Sequence, residues 1–159
     1  MAVIALLLYG AYLALTFGVR VAMQVRRTGS TGVHGIRRDA GPLERVAGAL
    51  FVFSLLAGFG APLLTLLGVL DPVPALDGTM GHTVGFVLTA SGILLTFGAQ
   101  VAMGDAWRIG VDPEERTDLV TEGPFQLVRN PIYSAQVPTV LGLLLMVPTP
   151  LPLPVSPAS

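Results

Sequence analysis

The 159-residue chain contains no cysteine. Disulfides, thiol catalysis and thiolate metal sites are thereby excluded. Charge is scarce as well: Asp, Glu, Lys and Arg make up 12% of the residues, against about 25% in an ordinary soluble domain. The net charge is −1, so no basic excess attracts nucleic acid. The only two histidines, His34 and His82, lie far apart in sequence. With no second ligand type beside either, no metal site is expected. No internal repeat is visible.

What is abundant is apolar: 52% of the residues are hydrophobic and the mean hydropathy is +0.72. The chain is long enough for one domain. An all-α fold follows, a polytopic helical membrane protein with about four transmembrane helices. The expected spans are 2–22, 46–70, 81–104 and 132–147, together a membrane domain over 1–147. Residues 148–159, PTPLPLPVSPAS, carry prolines too densely for a helix and read as a Pro-rich disordered tail.

Ala2–Val19 is uncharged and reads as a signal anchor, because neither a basic leader nor a small-residue cleavage site flanks it. Arg20, Arg26 and Arg27 follow directly. Arg37, Arg38 and Arg45 continue a glycine-rich basic loop, in which His34 reads as solvated. The segment Asp71–Met80 has two acids and no arginine. Counting arginines places the first and third connections in the cytoplasm and the second outside. A bacterial cell membrane is the expected location. Within the spans, Pro62 and Pro138 suggest kinks rather than breaks. Thr89, Ser91, Thr96 and Gln100 read as interhelical hydrogen-bonding positions, with Gln100 alternatively facing a ligand cavity. His82, at the outer end of the third span, is not read as catalytic. Trp107 reads as an interfacial anchor, and the acidic run Asp112–Glu115 as a solvated face.

The distinctive stretch is Leu119–Tyr133, LVTEGPFQLVRNPIY, where a polar segment runs into an apolar span. Gly123–Pro124 signals a turn. Asn130 suits a helix N-cap and Pro131 the first helical position. Arg129 would stand just outside that helix. Free N–H groups, the positive end of the helix dipole and a guanidinium would then converge on one spot suited to carboxylate or phosphate.

This stretch, preceded by WRIGVDPEERTD, resembles the integral-membrane methyltransferases related to isoprenylcysteine carboxyl methyltransferase and the phospholipid methyltransferases. They share an LVT-x-G-P-[YF] turn and an R-H-P-x-Y helix start. The resemblance covers about Trp107–Leu145 and the arrangement of the preceding spans. It implies S-adenosylmethionine as cofactor, bound on the cytoplasmic side, and a lipophilic methyl acceptor taken from the lipid bilayer. It also implies cofactor contacts from Thr117, Asp118, Leu119, Val120, Phe125, Arg129, Asn130, Pro131, Ile132 and Tyr133, and no metal. No catalytic residue is assigned. Transfer of a methyl group disperses the sulfonium charge, so alignment and water exclusion can carry the catalysis.

Two departures stand out. Asn130 replaces the family's histidine; it can cap and donate but cannot titrate near neutrality. The family also continues past the fourth span with a further apolar stretch and an acidic, Tyr-containing cytoplasmic segment, which PTPLPLPVSPAS does not match. The expectation is a C-terminally truncated form with weak cofactor binding and little turnover. Two alternative readings are a steroid-reductase-like membrane enzyme using NADPH and a non-catalytic helical membrane protein.

Overall fold

The structure is a computed structural model that describes residues 1–33, 41–109 and 120–149. Three helices are long and apolar enough to cross a membrane: Ala2–Thr28, Pro42–Leu66 and Thr79–Ala102. A shorter apolar helix spans Pro131–Met146. Among the described residues no strand forms; the only β feature is a parallel bridge between Val33 and Ile109. The protein is an all-α integral membrane protein.

The first helix runs past Arg20 to Thr28, through a π-helical segment at Ala14–Val19. It stops at Gly29, whose φ of 76° is left-handed and tolerated by glycine. Arg20 is a helix residue, as the expected span 2–22 has it. Its charge is tolerated there because it turns inward, 1% exposed, onto polar backbone groups.

The second helix both starts and ends earlier than the hydropathy suggests. Pro42 opens it at a position that needs no N–H, and Glu44 complements the dipole in its first turn. At its end, Gly68 takes φ 71°. Gly68 N–H donates to Thr65 O at 3.1 Å and Val69 N–H to Leu64 O at 2.9 Å. That pair of bonds is a Schellman cap, which a run of apolar residues hides from a hydropathy reading. Pro62 sits inside this helix without ending it, and is its one buried residue.

Among the described residues, the third and fourth helices make the most extensive contact. On the third, Gly85, Thr89, Gly92, Thr96 and Ala99 are buried and recur at i, i+4, i+7, i+11 and i+14. On the fourth, Ala135, Thr139, Gly142 and Met146 form the facing row. In lipid no hydrophobic effect drives helices together, so close backbone approach through small residues supplies the contact. Thr89 Oγ1 donates to Gly85 O at 2.8 Å and Thr139 Oγ1 to Ala135 O at 3.1 Å, each within its own helix. Of the threonine hydroxyls, Thr89 Oγ1 also reaches across the contact, 3.8 Å from Met146 Sδ of the fourth helix. Both threonines also contribute shape: Thr89 fills the notch at Gly142, and Thr139 the notch at Gly92.

Two ends of the bundle are distinguishable. At one, Ile109 N–H donates to Gly32 O at 2.7 Å; at the other, Val73 N–H donates to Pro148 O at 2.8 Å. At the second end His82 Nε2 lies 2.7 Å from Asp77 Oδ1.

Candidate functional site

The last carbonyls of a helix lack intrahelical partners. For the third helix, the first helix supplies them. Arg20 Nε donates to Gln100 O at 3.1 Å, and Arg20 Nη2 to Gly104 O. One turn further along the first helix, Gln24 Nε2 donates to Asp105 O at 2.9 Å. A cation at a helix C-terminus is also favoured by the dipole. The Arg20 guanidinium lies over the Trp107 ring, with Cζ 4.7 Å from the centroid. Trp107 is consequently buried, 2% exposed, and is no interfacial anchor. These contacts fix residues 104–109 against the first helix.

The fixed segment forms one wall of a cavity of about 350 Å³. Met103, Trp107, Arg108 and Ile109 line it from this side. Opposite stand Phe125 and the start of the fourth helix, Asn130 to Tyr133, with Gln136 one turn on. Tyr12 and Phe17 of the first helix, Phe51 of the second and Gln100 of the third complete it. No Asp or Glu lines it among the described residues.

The polar groups at the wall are mostly uncharged. Gln136 Nε2 donates to the Tyr12 hydroxyl at 3.0 Å. Gln100 is 5% exposed, and its Oε1 is buried without a donor among the described residues. Such an oxygen calls for an N–H or O–H from something else, because an unmet buried acceptor is costly. Gln100 thus faces the cavity, the alternative that its position near the end of the third span left open.

Residues 80–156 match the sequence model for phospholipid methyltransferases. This stretch is similar to the phospholipid methyltransferase family. It contains the third helix, the fixed segment and the start of the fourth helix, which together supply most of the cavity wall. The methyltransferase match does not reach Tyr12, Phe17 or Phe51, which close the cavity from the first two helices. No curated protein and no solved structure matches the chain.

Of the expected cofactor residues, the cavity brings together Phe125, Asn130, Pro131, Ile132 and Tyr133. Asn130 occupies the N-cap position, but its side chain makes no capping hydrogen bond. Tyr133 lines the cavity while remaining 67% exposed overall. Arg129 is exposed and Val120 half-buried, and neither is among the lining residues. Thr117, Asp118 and Leu119 lie outside the described residues, as do the run Asp112–Glu115, His34 and the tail from Pro150. Arg108 is the arginine that lines this cavity. Tyr12, Gln136 and Arg108 were missed. Gln136 carried a signal, being a polar side chain one helical turn beyond Ile132 in an apolar span. No group of three or more His, Cys, Asp or Glu able to hold a metal occurs among the described residues.

Proposed function

We propose that the protein transfers a methyl group from S-adenosylmethionine to a lipophilic acceptor drawn from the bilayer, and that both meet in this cavity. One observation carries the reading. The cavity is built chiefly from the family-matched stretch, and it joins a cation, an unmet acceptor and aromatic faces in one space. The donor set fits the cofactor. Arg108 suits a carboxylate, and the Gln100 Oε1 suits an amino N–H. The ring faces of Tyr12 and Trp107 suit a sulfonium. The Asn130 amide, not used for capping, suits a further polar contact.

When bound, the cofactor supplies an electrophilic methyl on a positively charged sulfur. The protein's part is to align it with the acceptor and to keep water out. With no carboxylate in the described wall, alignment rather than acid–base chemistry is the contribution assigned to these residues.

Orientation follows from charge. Arg26, Arg27, Arg45 and Arg108 belong to the cavity end of the bundle, and Asp71 and Asp77 to the other. The positive-inside tendency then assigns the cavity end to the cytoplasm, where the cofactor is available.

Calorimetry on the detergent-solubilised chain tests the reading. S-adenosylmethionine is expected to bind and NADPH is not. Binding of NADPH alone would favour the reductase reading, and binding of neither a non-catalytic protein.

A further inference from the structure

We propose that the cavity opens sideways into the hydrocarbon layer between Phe17 and Phe51, and that a single lipid hydrocarbon chain enters there. The proposal rests on the reading of a lipophilic acceptor and identifies its door.

Both rings line the cavity, one from the first helix and one from the second. They meet at 6.4 Å between centroids, tilted by 59°. Phe51 is also 38% exposed on the outside of the bundle. Its neighbours Leu50, Val52 and Phe53 are exposed and apolar as well. At 1.5 Å of rise per residue, Phe51 lies about 13 Å along the second helix from Pro42. That depth is within the hydrocarbon layer, so the medium against this rim is lipid tail rather than water or headgroup.

The two sides of the opening are also the parts of the bundle best able to yield. Phe17 sits in the π-helical segment Ala14–Val19, a local widening often found at functional positions. The second helix buries only Pro62, and its extensive contact among the described residues is with the first helix. A firm anchor lies further out. The Tyr9 hydroxyl donates to Leu55 O at 2.9 Å, and its ring occupies the space that a Cβ on Gly58 would need, 2.7 Å from Tyr9 Cζ. Tyr9 pins the middle of the second helix, while the inner half meets the first helix through the softer ring pair. Besides the two rings, Met103 and Ile132 give the cavity apolar surface, and Gln100 and Arg108 give it polar groups. A chain with an apolar tail and a polar end fits that mixed lining.

Trp107 is the chain's only tryptophan and it lines the cavity, so it reports on what enters. The full-length double variant Phe17→Cys, Phe51→Cys is reconstituted into phosphatidylcholine vesicles containing phosphatidylcholine with one doxyl-labelled chain. The chain has no other cysteine, so a short bismaleimide joins these two positions alone. We expect the doxyl lipid to quench Trp107 before cross-linking, and that quenching to be lost once the helices are joined. The same protein before cross-linking serves as its own control for folding. Equal quenching in the open and joined forms, or none in the open form, would overturn the proposal. Cofactor binding is read separately by calorimetry. Binding without chain-dependent quenching removes the door and leaves the cofactor reading intact; quenching without cofactor binding does the reverse.

Discussion

Arg20 and Trp107 stack, with the guanidinium carbon 4.7 Å from the ring centroid. They come from opposite halves of the chain, and the pair ties the first helix to the segment that lines the cavity. The same guanidinium donates to Gln100 O and Gly104 O. Arg20→Ala removes the stack and both donors at once. Hydrogen bonds from a charged group contribute roughly 1.5–3 kcal/mol each, so a loss of at least that order is expected. Thermal unfolding in detergent measures it, and a red-shifted Trp107 emission should accompany it. Arg20→Lys should fall between, since an ammonium keeps the charge but not the planar fork. Wild-type stability and emission in Arg20→Ala would contradict the clamp.

The packing of the third helix on the fourth predicts a contrast between two glycines. A Cβ at Gly142 would lie 2.6 Å from Thr89 N, a backbone atom that cannot swing aside. Gly142→Ala should destabilise the bundle by about 1–3 kcal/mol, the usual range for overpacking. A Cβ at Gly98 meets nothing within 4 Å, so Gly98→Ala should stay within about 0.5 kcal/mol of the parent. Unfolding of both variants in detergent decides it; equal losses would mean the two helices are not in this register.

Two arginines separate the cavity from the sequence motif. Arg108 lines the cavity and Arg129 does not. Arg108→Ala should weaken S-adenosylmethionine binding by roughly 1.5–3 kcal/mol, the range for a charge-assisted hydrogen bond. Arg129→Ala, at an exposed position, should cost only about 0–1 kcal/mol. Titration calorimetry on both variants measures the difference. The reverse order of effects would return the carboxylate to Arg129 and the helix start.

Orientation is open to direct labelling because the chain has no cysteine. A cysteine at Ser30 or Glu122 should be shielded from an impermeant thiol reagent in intact cells, and one at Ala75 should react. Labelling at Ser30 or Glu122 would invert the topology.

Much of the fold was legible because membrane insertion is governed by local composition. A run of about 20 apolar residues must satisfy its own backbone in lipid, and the helix is its solution. The start of the fourth helix was equally local: Pro131 needs no N–H, and the residue before it is pushed out of the helical region. Helix ends were less legible, since the Schellman cap at Gly68 lies within an apolar run.

What the chain alone could not decide was which polar side chains turn inward. Arg20 followed the uncharged run Ala2–Val19 with no partner visible in the sequence. It turns inward because the carbonyls at Gln100 and Gly104, distant in sequence, accept from its guanidinium. Arg129 stood beside the helix start in sequence, yet Arg108 reached the cavity, because the clamp at Arg20 and Trp107 holds its neighbour against the bundle. Hydropathy and capping act over a few residues, so sequence alone determined the all-α membrane architecture and where its last helix begins. The cavity depends on contacts between helices, and only tertiary packing decided its walls.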